Sequence, residues 1–303
     1  VTRKRIGFIG VGLMGHGMAK NLLEKGWPVS VLGHRNRAPV EDLAARGARE
    51  AADVAELVNG ADVVFLCVTG TPEVEDLALR PDGILAHARG GQIVVDTSTS
   101  QPGSTVRLAA AFAARGVRFV DSPLTRTPAE AEQGRLNTLT GADAATFAEL
   151  EPILKAFCEN VFHVGDVGAG HTLKLVNNFL AVGSVALYAE ALVSCVKLGL
   201  DPAQLVRLVS VGPVNSNMFQ MVAGGAVAGE FDRMKFALRN AAKDIRYFVG
   251  ETSQAQVAGV VTAAVHQSLT QALALGFGGP DHMLPALVQA QASLNGVKLP
   301  SDS

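Results

Sequence analysis

Lys174 and Asn178 stand four residues apart in a stretch otherwise dominated by Leu, Val and Phe. At helical spacing they share one face. A lysine in such company either extends its stem to solvent or keeps its ammonium in a polar cleft, where desolvation moves its pKa toward general acid/base range. A second chemical feature is Gly10-Val11-Gly12-Leu13-Met14-Gly15, entered by Ile6, Phe8 and Ile9 and left by Met18 and Leu22. The order is strand, glycine turn, helix. Glycines at this spacing permit a sharp turn, close approach of backbone to a pyrophosphate and tight helix–strand packing, and the helix N-terminus offers N–H groups to the anion. Gly10, Gly12, Leu13, Met14 and Gly15 are therefore expected to hold a dinucleotide.

The next strand, Pro28 to Leu32, ends in Gly33-His34-Arg35-Asn36-Arg37. An acidic residue would ordinarily meet the adenosine ribose there. This segment has none. His34, Arg35, Asn36 and Arg37 instead suit a 2′-phosphate, which makes NADP the expected cofactor and NAD the alternative. The competing reading is a solvated basic loop that touches no ligand.

Positioning these groups requires a framework. Up to about residue 165, apolar strands (6–9, 29–32, 63–68, 92–96, 117–121, 136–140, 161–164) alternate with amphipathic segments such as 13–25, 39–46 and 104–115. This pattern predicts a doubly wound parallel sheet. The 134–141 stretch has too little sequence before it for a crossover helix and is expected as an antiparallel addition at the sheet edge. Beyond Gly165, strand patterns give way to Ala-, Leu- and Val-rich helices. The expected fold is α/β: an N-terminal doubly wound Rossmann domain, residues 1–165, followed by an all-α C-terminal domain, residues 166–303, joined by a long interdomain helix at about 170–198. Apolar residues cover most of that helix's circumference, so it should be buried nearly all round, by its own chain or by a second subunit. A homodimer or homotetramer is expected.

With 303 residues, 48% of them hydrophobic, the chain can build large cores. A formal net charge of −2, with basic clusters only at 2–5 and 34–37, points to a small-molecule partner and away from nucleic acid or a membrane surface. Cys67, Cys158 and Cys195 lack metal-ligand spacing and read as buried thiols in a reducing compartment. The first strand starts too early to leave room for a leader, and no apolar run approaches the ~20 residues that span a bilayer. A cytoplasmic protein is expected.

The N-terminal glycine segment, Asp121-Ser122-Pro123, Gly134-Arg135-Leu136 with Thr140-Gly141, Gly168-x-Gly170-x-x-x-Lys174-x-x-Asn177-Asn178, and Lys243-Asp244 occur in order along the chain. Together they resemble the β-hydroxyacid dehydrogenase family, which includes 3-hydroxyisobutyrate dehydrogenases and the tartronate semialdehyde, glyoxylate and sulfolactaldehyde reductases. The resemblance covers essentially the whole chain. It implies that Lys174 is the catalytic lysine that moves the proton on the carbonyl oxygen and that Asn178 hydrogen-bonds substrate. It also implies that Lys243 lies near nicotinamide and substrate. Val68 and Thr69 would lie along the cofactor, Ser98 and Thr99 near nicotinamide and substrate, and Phe236 near the nicotinamide.

The chain departs from the family where most members follow Asp-x-Pro with Ser-Gly-Gly, a carboxylate-binding segment. Here the segment is Leu124-Thr125-Arg126-Thr127-Pro128. Thr125 keeps the hydroxyl, while Arg126 and Thr127 replace both glycines. An arginine here resembles the sulfolactaldehyde reductases, so Arg126 reads as an anchor for a carboxylate, sulfonate or other anion. The alternative pairs it with Glu130 or Glu132. His16, His34 and His171 join no triad or metal set in the sequence, and no metal is assigned.

The resulting expectation is an NAD(P)-dependent oxidoreductase, NADP preferred, that interconverts a small β-hydroxy acid or hydroxy-sulfonate and its semialdehyde. Ser98, Thr125, Arg126 and Lys243 would bind the acidic substrate. An imine reductase and a non-catalytic NADP-binding module are the alternatives. Lys174 counts against the first, and its retention with Asn178 against the second.

Overall fold

The computed structural model describes residues 3–299. Thr2 of the basic N-terminal cluster and the extreme ends of both expected domains therefore lie outside the described residues. The elements of the first part are β1 (Ile6–Ile9), α1 (Gly15–Glu24), β2 (Val29–Leu32), α2 (Ala38–Ala45), β3 (Arg49–Ala51), α3 (Val54–Gly60), β4 (Val63–Leu66), α4 (Thr71–Leu79) and α5 (Ile84–His87). They continue with β5 (Ile93–Asp96), α6 (Pro102–Ala113), β6 (Arg118–Asp121), β7 (Leu124–Thr125), α7 (Pro128–Glu132), β8 (Leu136–Gly141), α8 (Ala144–Leu154) and β9 (Cys158–Gly165). Helices follow: α9 (Ala169–Lys197), α10 (Pro202–Ser210), α11 (Asn217–Phe219), α12 (Gly225–Val227), α13 (Leu238–Gln254), α14 (Val260–Ala274) and α15 (Leu287–Leu294).

The sheet runs β3-β2-β1-β4-β5-β6 with every neighbour parallel. This is the doubly wound arrangement, whose order reverses between β1 and β4 and opens a crevice at their C-terminal ends. Alternation divides each central strand between two cores. Ile6, Phe8, Phe65 and Val95 pack with Met18, Leu22 and Leu43 on one face, while Ile9, Val64, Leu66 and Val94 pack with Leu57, Leu108 and Phe112 on the other. Phe8 stacks on Phe65 with ring centroids 5.8 Å apart. Strand β8 is antiparallel to β6 and β7, as the sequence suggests, but it is not outermost, because β9 pairs with it in parallel.

The chain divides into two compact units, the second beginning at Leu175. The second unit is helical around its own core, in which Val182, Val185 and Leu192 of α9 meet Ile245 of α13 and Leu269 of α14. Burial of α9 is one-sided within the chain, since Leu180 and Leu187 are 64% and 67% exposed. Moreover, α9 is long and apolar enough to cross a membrane by length and composition. Counting uninterrupted apolar residues missed this because Gly183, Ser184 and Glu190 break the run. Its Val182, Val185 and Leu192 are instead core residues of the helical unit.

Candidate active site

Three glycines between β1 and α1 meet three distinct demands. Gly10 has φ +96°, and a Cβ there would lie 2.2 Å from the Cys67 carbonyl oxygen. A Cβ on Gly15 would lie 2.0 Å from the Gly10 carbonyl oxygen, whereas one on Gly12 would meet nothing within 4 Å. The first closes the turn, the second seats the helix, and the third leaves open space for a ligand. That space belongs to a pocket of about 930 Å³ lined by Gly10, Gly12, His34, Asn36, Val68 and Thr69 among others. These residues fit a dinucleotide. Beside the turn, Leu13 is 82% exposed, an unusual position for a large apolar side chain.

The C-terminal end of β2 holds a surprise. Arg37 gives both terminal guanidinium nitrogens to Glu50 of β3, at 2.7 and 2.8 Å. Each partner stabilises the other's charge, so the Glu50 pKa is lowered and the Arg37 pKa raised. A carboxylate therefore does stand at the end of β2, delivered by the next strand. The three-residue β3, with its exposed Arg49 and Glu50, carried no strand pattern by which to find it.

At the C-terminal ends of β4 and β5, the Ser98 hydroxyl accepts from the Val68 N–H at 3.0 Å, joining the two loops that sequence singled out. Thr99, on the same loop, is partly buried. Asp96 accepts from the Ser98 N–H (2.9 Å) and the Ser100 hydroxyl (2.8 Å). His171, fully buried in the first turn of α9, joins Thr105 at 2.7 Å and donates to the Ser98 carbonyl at 3.2 Å, with Asp96 and Asp121 at 3.7 and 3.9 Å. Asp121 accepts the N–H groups of Gly168 (2.7 Å) and His171 (2.8 Å), a carboxyl cap on the helix that carries Lys174. Burial raises the Asp121 pKa, and the opposing pull of His171 and those N–H donors does not cancel it. His171 is thus one histidine held by groups distant in the sequence. His16 is another, between Glu132 (2.7 Å) and Asp42 (2.9 Å).

Arg126 occupies φ +81°, a glycine-like conformation at a position where the resemblance leads one to expect glycine. Its Nη1 donates to Glu159 and to the Arg135 carbonyl, so its carboxylate partner is on β9 and is neither Glu130 nor Glu132. Glu130 instead completes a capping box with Thr127 at the start of α7. The Thr125 hydroxyl accepts from Asn137 at 3.1 Å.

In the helical unit, Asn178 donates to Asp244 at 2.6 Å, and Asp244 pairs with Lys243 at 2.8 Å. Lys243 also lies over the Tyr247 ring, 4.9 Å from its centroid. Asn178 and Asp244 are buried. Lys174, one helical turn before Asn178, is partly buried. Phe236 packs against the core of this unit. Of the cysteines, Cys158 is buried while Cys67 and Cys195 keep partial exposure as residues; protein packed around the Cys67 sulfur itself excludes water and pushes that thiol up to about 11.

Residues 5–165 match the family model for the NAD binding domain of 6-phosphogluconate dehydrogenase, and residues 168–289 match that for the NAD-binding segment of NADP-dependent 3-hydroxyisobutyrate dehydrogenase. A 2-(hydroxymethyl)glutarate dehydrogenase of Eubacterium barkeri is 31% identical over 97% of both chains. The chain belongs to the β-hydroxyacid dehydrogenase family. As a member it is an NAD(P)-dependent oxidoreductase acting on CH–OH groups. A 3-hydroxyisobutyrate dehydrogenase structure from Salmonella typhimurium superposes with a TM-score of 0.81 at 25% identity, covering 94% of this chain and 99% of that one. An imine reductase from Myxococcus stipitatus shares the fold alone, at 20% identity and a TM-score of 0.63 over 95% of this chain and 99% of its own.

Proposed function

We propose that this protein interconverts a small β-hydroxy acid, or the corresponding hydroxy-sulfonate, and its semialdehyde, with NADP preferred. The observation that carries this reading is the placement of Lys174 one turn before Asn178, whose amide is fixed by the buried Asp244 beside Lys243. A nicotinamide dinucleotide, when bound, supplies or takes the hydride. Lys174 gives a proton to the aldehyde oxygen during reduction and removes it from the alcohol during oxidation. Asn178 and Lys243 orient the substrate. Ser98, Thr125 and Arg126 meet its anionic group. Among the described residues, Nη2 and Nε of Arg126 make no hydrogen bond, so the fork keeps donors for an anion. Gly10, Gly12, Leu13, Met14 and Gly15 hold the dinucleotide with Val68, Thr69, Thr99 and Lys243, while His34, Arg35, Asn36 and Arg37 address its adenosine end. The exposed Leu180 and Leu187 support assembly into a homodimer or homotetramer, and a cytoplasmic setting belongs to the same proposal.

The test is a spectrophotometric panel of NADPH and NADH against glyoxylate, succinic, tartronate and methylmalonate semialdehydes, sulfolactaldehyde and a cyclic imine. An acidic aldehyde should be reduced, and Lys174→Ala should lower kcat by about a hundredfold or more. Dinucleotide affinity should not change. Turnover of the imine alone, or full activity in Lys174→Ala, refutes the proposal.

A further inference from the structure

We propose that Glu50 is a specificity-determining residue that sets the choice between a phosphorylated and an unphosphorylated adenosine ribose. The inference rests on the reading that a dinucleotide lies along the glycine turn, with its ribose at the end of β2. Glu50 is in register with Val31 of β2 and reaches past the strand end to Arg37. The pair lies directly against Gly33, where an added Cβ would come within 2.3 Å of Arg37 Nη1 and 2.5 Å of Glu50 Oε1. Glu50 thereby brings a carboxylate to the strand end where a ribose-binding acid is needed. A neighbouring pocket of about 590 Å³ is lined by Gly33, His34, Arg35, Arg37, Glu50 and Glu56.

A ribose 2′-hydroxyl is neutral and can donate to a carboxylate, so it leaves the Arg37–Glu50 pair intact. A 2′-phosphate carries about two negative charges and seeks the forked donors that Glu50 already occupies. It must displace one carboxylate and then remain beside it. Glu56 adds a second carboxylate to the pocket, paired with Arg49. Arg35 makes no hydrogen bond or ion pair among the described residues and remains for a phosphate. The site therefore combines a cation able to recognise NADP with an anion that opposes it.

The experiment is titration of NADP+ and NAD+, by calorimetry, into the intact protein and the Glu50→Gln, Arg37→Met and double variants. Glu50→Gln keeps the side-chain size and frees the Arg37 fork. It should tighten NADP+ by about tenfold without tightening NAD+, and the gain should vanish in the double variant. The proposal is overturned if Glu50→Gln changes the NADP+ Kd by less than about twofold, if both dinucleotides gain equally, or if the gain survives loss of Arg37. If neither dinucleotide binds the unaltered protein, the cofactor reading falls, and this inference falls with it. Both groups are exposed, so the variants should fold.

Discussion

Asp244→Asn probes the polar cluster of the helical unit with a change of one atom and one charge. Asp244 accepts the Asn178 amide through Oδ2 at 2.6 Å, while its Oδ1 forms an ion pair with the Lys243 ammonium at 2.8 Å without a hydrogen bond. In the variant, turning the new carbonyl toward Asn178 presents an NH2 to the ammonium. The opposite flip sets two amide NH2 groups against each other. One contact is lost either way. A hydrogen bond to a charged group is worth about 1.5–3 kcal/mol, and removing one member of a buried ion pair costs about 3–5 kcal/mol. The Lys243 side chain is 13% exposed and keeps the Tyr247 ring, which returns roughly 0.5–1 kcal/mol. The expected loss is therefore about 2–3 kcal/mol in urea denaturation followed by circular dichroism. Lys243→Met together with Asp244→Asn should cost less than the two single changes added, because the second removes a charge that the first has already isolated. Catalytic efficiency should fall further than stability alone explains, since Asn178 and Lys243 both lose their orientation. A stability change below about 0.5 kcal/mol, or strict additivity, would refute this account of the cluster.

Two further outcomes follow from the first unit. Asp62 accepts the Arg5 N–H at 2.9 Å and Arg5 Nη2 at 2.9 Å, which hold its pKa at about 2 against an ordinary 3.8. A lowered folded-state value means that the stabilisation is complete above the ordinary value and is lost as pH falls toward 2. Urea midpoints between pH 5 and 2 should therefore drop less steeply for Asp62→Asn than for the unaltered protein, and parallel curves would discount the pair. Arg126→Gly relieves a left-handed backbone at a residue whose ion pair is partly exposed, so stability should hold or rise by up to about 1 kcal/mol. The KM for acidic aldehydes should rise, and an unchanged KM for all of them would remove Arg126 from substrate binding.

What was legible in the sequence was local. The glycine turn, the central strands and the long helix are written in contiguous residues, because periodicity and turn chemistry act over a few positions. The missed features depend on contacts between distant segments. Glu50 lies 13 residues beyond Arg37 and reaches it only because a three-residue strand joins the sheet edge. His171 is separated from Thr105 by 66 residues, and His16 from Glu132 by 116, so neither pairing leaves a spacing signature. Asp244 was visible as the neighbour of Lys243, but its grip on Asn178, 66 residues away, was not. The positive φ of Arg126 was equally hidden. The resemblance marked that position as ordinarily glycine, yet only the backbone shows that the glycine shape persists with an arginine in place.

The unbroken course of α9 bears on how such proteins can be recombined. The second compact unit begins at Leu175, inside that helix, whereas the two family models leave their gap at residues 166–167. A chimera spliced at Lys174 would take that lysine, the proposed proton-transfer residue, from one parent and Asn178 from the other, entrusting their ~6 Å separation to a foreign helical turn. Splicing at 166–167 keeps both on one inherited segment but parts Asp121 from the Gly168 and His171 N–H groups that it caps. A junction between Thr172 and Leu173 separates neither pair, so exchange of the helical unit between relatives is least disruptive when the splice falls there, inside the helix and past its cap.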